Sequence, residues 1–458
     1  MTAPSTSLLA SRVDELIQGL TRTDSAPASD AAALAPVHVV YGGAHLYRAD
    51  SPEKLARIAR AAMDTWGRDD AAFARAMGVR EGADPGLAAE LARRVREKLA
   101  HDPVEKSCID FEDGYGPRRD EEEDAEAVRT AGELARATQA AGPAGARPVI
   151  GIRIKALASP TARRGARTLD LFVTTLVGAL GAGDRLPAGF TVTLPKVSRP
   201  GEVSALVGVL EGLEETLGIP ADAIGIELMV ETPRALVDGD GRIALPALVA
   251  AARGRCVAAH LGAYDLTASL GVTAGEQRLD HPACDLARLL MQMALAGTGV
   301  VVVDGATTVL PLATHRETAG VALTDAQRAI NAGDVTSAWA LHAAAVTRAL
   351  ALGIYQGWDL HPAQLPARYG AVYAFFLAER RAMAARLRSF VAKATQATRS
   401  GQVFDDAATG QGLLEFFVRG VACGALGDDD VRATGLSLDE LRARSFTRIV
   451  AARSGSTA

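Results

Sequence analysis

Eight short apolar runs, each followed by a longer stretch of helical periodicity, constrain this chain more than any other feature of its sequence. The runs are Val37–Tyr41, Ser107–Phe111, Pro148–Ile154, Phe190–Leu194, Ile224–Val230, Cys256–Leu261, Gly299–Asp304 and Gly353–Leu360. Strand-like segments alternating with helical ones are the pattern of βα units and a parallel sheet. Eight such units are what a closed barrel needs, so the sequence predicts an α/β fold, a (β/α)8 TIM barrel. An open doubly wound sheet would alternate in the same way. No Gly-rich dinucleotide fingerprint follows the first strand, however, and that disfavours it.

The connections extend this plan. The stretch from Gly42 to Lys106 is too long for a plain loop, and apolar residues recur at helical spacing through Leu55, Ile58, Ala62 and Trp66, then Leu87, Leu91, Val95 and Leu99. It reads as a helical segment inserted after strand one. Beyond Pro366, the spacing from Tyr369 to Ala397 predicts one long helix, and 410–451 predicts two or three more, including Gly412–Ala422. Residues 1–35, rich in Ala, Ser and Thr with one amphipathic stretch from Leu8 to Leu20, read as a loosely attached arm. The expected plan is an arm at 1–35, a barrel at 36–366 with an insertion at 42–106, and a helical extension or lid at 367–458. An extension of that size covers an active-site mouth or makes subunit contacts, and a homo-oligomer is expected. At 458 residues the chain exceeds an average domain, but a barrel with extensions absorbs that length as one unit.

Composition excludes several classes. A net charge of −5 lacks the basic face that nucleic acid requires. The four cysteines, Cys108, Cys256, Cys284 and Cys423, form no CxxC pair, against a zinc site or disulfide framework. No signal peptide and no uninterrupted 18-residue apolar segment is visible, so no membrane association and a cytoplasmic location are expected.

In barrel enzymes the chemistry lies at the C-terminal ends of the strands. Here strand two ends Asp110-Phe111-Glu112-Asp113-Gly114, strand three carries Arg153 and Lys155, and strand four ends Thr193-Leu194-Pro195-Lys196. Strand five ends Glu231-Thr232-Pro233, strand six runs into Gly262-Ala263-Tyr264-Asp265, strand seven ends at Asp304, and strand eight leads to Trp358-Asp359-Leu360-His361. So many carboxylates at one rim need a countercharge, and a hard divalent cation supplies it. Mg²⁺ takes one or two carboxylates and completes its octahedron with water and substrate; Mn²⁺ accepts the same donors. Neighbouring strands lie about 4.8 Å apart, so residues ending strands five and six can share an ion, which makes Glu231 and Asp265 the candidate metal pair.

Each of these residues also has a plainer reading. Thr232-Pro233 is an ordinary helix start, which would leave Glu231 incidental, and Asp265 could cap the helix after it. The acidic run Glu121 to Asp124 reads as a solvated cap. Lys196, Thr193 and His361 are candidates for contacting substrate, although Lys196 could equally pair with a carboxylate and His361 could lock its loop. His45 and His260 carry no assignment.

Taken in order, Asp110-Phe111-Glu112-Asp113, Gly151-Ile152-Arg153-Ile154, Leu194-Pro195-Lys196-Val197, Val230-Glu231-Thr232, Gly262-Ala263-Tyr264-Asp265-Leu266 and Gly357-Trp358-Asp359-Leu360-His361-Pro362-Ala363-Gln364 resemble the HpcH/HpaI aldolase and citrate lyase beta-subunit family, which includes malyl-CoA lyases. The resemblance covers residues 105 to 370. It implies a Mg²⁺-dependent carbon–carbon lyase or aldolase acting on a small oxo- or hydroxy-acid or its CoA thioester. It implies Glu231 and Asp265 as metal ligands, Glu112 and Asp113 as holders of metal-bound water or substrate, and Arg153 as the residue that binds a carboxylate or polarises the carbonyl that becomes an enolate. Pyruvate aldolases of the family carry His where Asp113 stands, which places this chain nearer the citrate lyase and malyl-CoA lyase branch. In malyl-CoA lyases a C-terminal carboxylate from a neighbouring subunit reaches the site; no motif places it here, and Asp428 to Asp430 stay unassigned. Two further functions stay open: a Schiff-base aldolase using Lys196 or Lys155, and a non-catalytic barrel that binds a small acid or thioester.

Overall fold

The computed structural model describes residues 36–80, 86–140, 148–181, 186–317, 322–399 and 406–455. The arm expected at 1–35 lies outside them. The strands are β1 (His38–Gly43), β2 (Lys106–Asp110), β3 (Val149–Arg153), β4 (Thr191–Leu194), β5 (Gly225–Val230), β6 (Cys256–Leu261), β7 (Val301–Asp304) and β8 (Gln356–Asp359). They pair in parallel in sequence order, and β8 returns to β1, with His38 opposite Gly357 and Val40 opposite Asp359. The chain is a closed (β/α)8 barrel, as its alternation predicts.

Helices fill the connections. Between β1 and β2 lie α1 (Ser51–Trp66), α2 (Asp70–Ala76) and α3 (Leu87–His101). The barrel's outer ring continues with α4 (Asp120–Ala140), α5 (Ala162–Leu180), α6 (Pro200–Leu217), α7 (Pro233–Leu236), α8 (Leu245–Ala251), α9 (Ala263–Ser269), α10 (Pro282–Leu295) and α11 (Asp325–Ala351). The extension comprises α12 (Leu365–Arg399), α13 (Ala407–Ala422), α14 (Asp428–Ala433), α15 (Leu438–Arg442) and α16 (Phe446–Ser454). Local chemistry sets many of the ends. Pro200 opens α6, where a missing N–H costs nothing, and Gly218 closes it in the left-handed region at φ 66°.

Apolar side chains collect in three places. One cluster joins α4 through α10 to the outer faces of β2–β6 through Leu134, Phe172, Val192, Leu206 and Met291. A second joins α1, α2, α3 and α11 to the extension through Leu91, Trp339, Tyr369, Phe376 and Phe417. The third fills the barrel lumen with Val39, Tyr41, Cys108, Met229, Val303 and Trp358.

Among the described residues, the extension packs away from the C-terminal mouth. Its helices α13 and α16 flank the opposite end, where a cleft of about 710 Å³ is lined by Val37, Val300 and Gln356 from the strand starts and by Gln411, Arg419 and Arg448 from the extension. Among the described residues, no helix is long and apolar enough to cross a membrane.

Candidate active site at the barrel mouth

Strand side chains alternate between the lumen and the helix layer, and this sorts the rim residues. On β2 the lumen receives Lys106, Cys108 and Asp110; on β5 it receives Glu227 and Met229, and Glu231 continues the same face. Asp304 and Asp359 fall on the other parity and point outward. Asp304 is gripped by Arg288 of α10 at 2.8 Å, and Asp359 by Arg368 of α12 and His342 of α11, both at 3.0 Å. These two acids join strands to helices and are not part of the mouth.

Arg153 stands at the centre of the mouth. Its Nε and Nη2 donate to the two oxygens of Asp110 at 2.7 and 2.5 Å, a two-pronged grip that fixes the plane of the guanidinium. The same carboxylate accepts the backbone N–H of Glu112 at 2.9 Å and of Gly114 at 2.7 Å, so one side chain both shapes the turn and aims the arginine. Gly114 is required there, because a Cβ on it would lie 2.5 Å from Asp110 Oδ2. Beneath the guanidinium, Tyr41 stacks on Trp358 with ring centres 4.7 Å apart, and Arg153 Cζ lies 5.2 Å from the Tyr41 ring. What faces the opening is Nη1, 3.3 Å from Glu112 and 3.7 Å from Asp113.

Opposite it stands Lys196, a non-glycine residue in the left-handed region at φ 52°. That conformation costs about 1 kcal/mol or more and is typical of functional sites. It turns the backbone N–H of Lys196 onto Glu231 Oε1 at 2.6 Å and carries the ammonium to Glu112 at 2.5 Å, Asp265 at 3.2 Å and Asp113 at 3.4 Å. Glu231 is buried, with Asp265 half-exposed beyond it. Gly262 makes room for Glu231, since a Cβ there would meet Glu231 Oε2 at 2.4 Å.

Charge does not balance. Among the described residues, Asp110, Glu112, Asp113, Glu231 and Asp265 pair with two cations, Arg153 and Lys196. Burial, with Asp265 adding to it, pushes the Glu231 carboxyl up to about 7 against the pull of Lys196 and Arg153. Burial likewise raises Glu112. Burial works against the ammonium of Lys196, but Glu231 and Glu112 hold its pKa above the ordinary lysine value.

The donor set suits a hard divalent cation. Glu231 and Asp265 offer carboxylate oxygens only, and a buried carboxylate short of positive charge is what such an ion relieves. Among the described residues no three His, Cys, Asp or Glu side chains converge as a ready-made set. The fit is therefore that of an ion held by two carboxylates and completed by water or substrate.

The other candidates are placed elsewhere. Thr193 is fully buried, and its hydroxyl donates to Glu227 at 3.0 Å. His361 caps the turn after β8, its Nδ1 accepting the N–H of Ala363 at 3.1 Å. Thr232 is indeed an N-cap for α7, but Glu231 is engaged independently of that cap, and Asp265 caps nothing because Gly262 holds the cap position of α9. Lys155 is tied to Glu123 and the carbonyl of Phe111. Glu123 thus departs from the solvated cap expected of its acidic run: it is fully buried and also accepts from Thr168.

Sequence reasoning gave no role to the layer under the mouth. Lys106 pairs with Glu227, Glu227 lies 3.5 Å from His260, and Trp358 Nε1–H donates to His260 Nδ1 at 3.0 Å. The signal was the two-residue spacing itself: Lys106 and Asp110 share a face on β2, and Glu227 and Glu231 on β5.

Comparison with known proteins adds the following. A family model described as Domain of unknown function (DUF6986) matches residues 22–449. No curated protein matches the sequence. Among solved structures, Haloferax volcanii malate synthase in its native form at 3 mM glyoxylate is similar at 15% identity over 73% of this chain and 74% of that one, with a TM-score of 0.40. The same enzyme's pyruvate/acetyl-CoA ternary complex aligns at 18% identity over 64% and 66%, TM-score 0.41, and its lead(II) complex at 15% over 77% and 90%, TM-score 0.39. At these scores the barrel rests on its own strand order.

Proposed function

The chain belongs to the DUF6986 family, whose description assigns no activity, and from its own site we propose that it is a Mg²⁺-dependent carbon–carbon lyase or aldolase. Its substrate is a small oxo- or hydroxy-acid or the CoA thioester of one, and the reaction proceeds through an enolate. The carrying observation is the pairing, at one barrel mouth, of a fixed, buried guanidinium with the buried carboxylate of Glu231, in a cluster where acids outnumber cations.

Arg153 is preset by Asp110, so a substrate carbonyl or carboxylate that reaches Nη1 meets a donor needing no reorganisation. Lys196 adds a second cation on the facing side, which suits a substrate that is itself an anion. Tyr41 and Trp358, stacked and buried, form the floor. Glu231 and Asp265 are the residues that would hold Mg²⁺, with Glu112 and Asp113 beside them to hold its water. When bound, the ion supplies Lewis-acid stabilisation of negative charge developing on oxygen.

A Schiff base is the weaker reading. It needs a neutral amine, whereas the carboxylates around Lys196 favour its ammonium and Lys155 is committed to Glu123. A binding-only barrel leaves the unbalanced acid cluster without a purpose.

The test is proton exchange in D₂O, followed by NMR, with pyruvate, oxaloacetate and acetyl-CoA in turn, each with Mg²⁺, with EDTA and with Glu231→Gln. Mg²⁺-dependent exchange that disappears in the variant is the expected result. Exchange that survives both EDTA and the variant removes the metal from the reaction, and borohydride trapping at Lys196 then becomes the measurement of choice.

A further inference from the structure

Lys196 and a divalent cation compete for the same oxygens. The ammonium lies 3.2 Å from Asp265 Oδ2, 2.5 Å from Glu112 Oε1 and 3.4 Å from Asp113, while the backbone of the same residue fixes Glu231. An ion held by Glu231 and Asp265 would use lone pairs that Lys196 now satisfies. Two cations a few ångströms apart in a partly buried site, where water screens them poorly, repel each other. The lysine also has somewhere to go. Its side chain is about one-third exposed, on a flexible four-carbon stem at the open side of the mouth.

We propose that Lys196 is a built-in competitor of the metal: its ammonium is the resident cation of the carboxylate cluster, and a divalent ion enters only as that ammonium swings out. This rests on the metal-dependent reading above and deepens it. Ion entry then does two things at once. It neutralises Glu231 and Asp265, and it converts Lys196 from a counterion of the protein's own acids into a free cation at the mouth, where an anionic substrate arrives. The left-handed backbone of Lys196 fits this role, because it ties the N–H to Glu231 and leaves only the side chain free to move. Metal and acidic substrate are thereby coupled, since each favours the arrangement in which the other binds.

The test measures binding, not turnover. Free Mn²⁺ is titrated by EPR with the full-length protein and with Lys196→Met, whose circular dichroism and melting temperature show whether it is folded. The expected result is at least tenfold tighter Mn²⁺ binding by the variant. Equal or weaker binding by a folded variant overturns the proposal. No Mn²⁺ binding by either protein at millimolar concentration overturns the metal-dependent reading and this inference with it. A second measurement separates displacement from simple charge repulsion and does not depend on Lys196→Met folding. The chain has only six lysines, so their ¹³C-methylated side chains give a short NMR spectrum in which Lys196 is identified by its absence in Lys196→Arg. Added Mg²⁺ should shift the Lys196 signal ahead of the other five. A Lys196 signal unmoved at saturating Mg²⁺ means the ammonium stays in place, and the proposal fails.

Discussion

Asp110 carries more of the site than its neighbours in the Asp-Phe-Glu-Asp motif. Its two oxygens accept four hydrogen bonds, two from Arg153 and two from the turn it begins. Asp110→Asn keeps the shape and removes the charge, which leaves a buried guanidinium without its partner. Loss of one member of such a buried pair costs about 3 kcal/mol or more. A misaimed arginine should cost a further ~10²-fold in turnover. Both effects are measurable, as melting temperature and as kcat, and a variant with wild-type kcat would show that Arg153 needs no aiming. The motif marked this residue, but its pairing with Arg153 was not legible in sequence. The contact spans 43 positions and depends on the register that places Asp110 beside Arg153 on adjacent strands. The same limit explains Asp304 and Asp359. Both sit at strand ends as a rim acid should, and only the parity of their strands sends them outward to Arg288 and Arg368.

At the scale of elements the sequence was easier to read. All eight strand runs overlap observed strands, and Cys256–Leu261 coincides with β6 to the residue. Most of the others shift by one or two positions, and the Gly353–Leu360 run begins three residues before β8, because apolar runs continue into the turns that flank them. The helices after β1 and the long α12 follow from their periodicity. Their mutual attachment does not, because the contacts that make it, apolar and polar alike, join residues far apart in sequence. Glu90 of α3 receives Arg380 of α12 at 2.6 Å and Arg94 at 2.7 Å, and Arg94 also reaches the carbonyl of Ala425 just before α14. Arg380, with Arg94 beside it, holds the Glu90 carboxyl down to about 2 against burial. A carboxylate whose pKa falls on folding contributes stability above its unfolded value, and loses it as pH drops through that value towards the folded one. Glu90→Gln should therefore lower stability by about 1–2 kcal/mol at pH 7. The gap between wild type and variant should narrow between pH 5 and about 2 as the wild-type carboxylate is protonated. Urea melts at pH 7 and pH 3 test this, and a gap of constant size would mean that the charge of Glu90 contributes nothing.

For the whole molecule, the question is whether barrel and extension are one cooperative unit. The apolar cluster that holds α12, α13 and α16 also contains Val37 and Val40 of the barrel's first strand and its approach, together with Leu91 of α3 and Trp339 of α11. Removing the extension would therefore open a core that barrel helices share, and no boundary of exposed linker separates the two at Pro366. The three tryptophans offer a direct measure. Trp358 sits in the lumen, stacked on Tyr41, whereas Trp339 lies in the shared cluster, with its Nε1 donating to the carbonyl of Ala363 and its ring edge-on to Phe73. One reports the barrel interior and the other the seam with the extension. If the core is continuous, variants keeping only Trp339 or only Trp358 should lose native fluorescence at the same urea concentration with the same slope, as a single transition requires. An earlier midpoint at Trp339 would mean that the seam opens first. The extension would then be a separately folding unit laid against a barrel stable without it, and the active-site mouth would survive its loss.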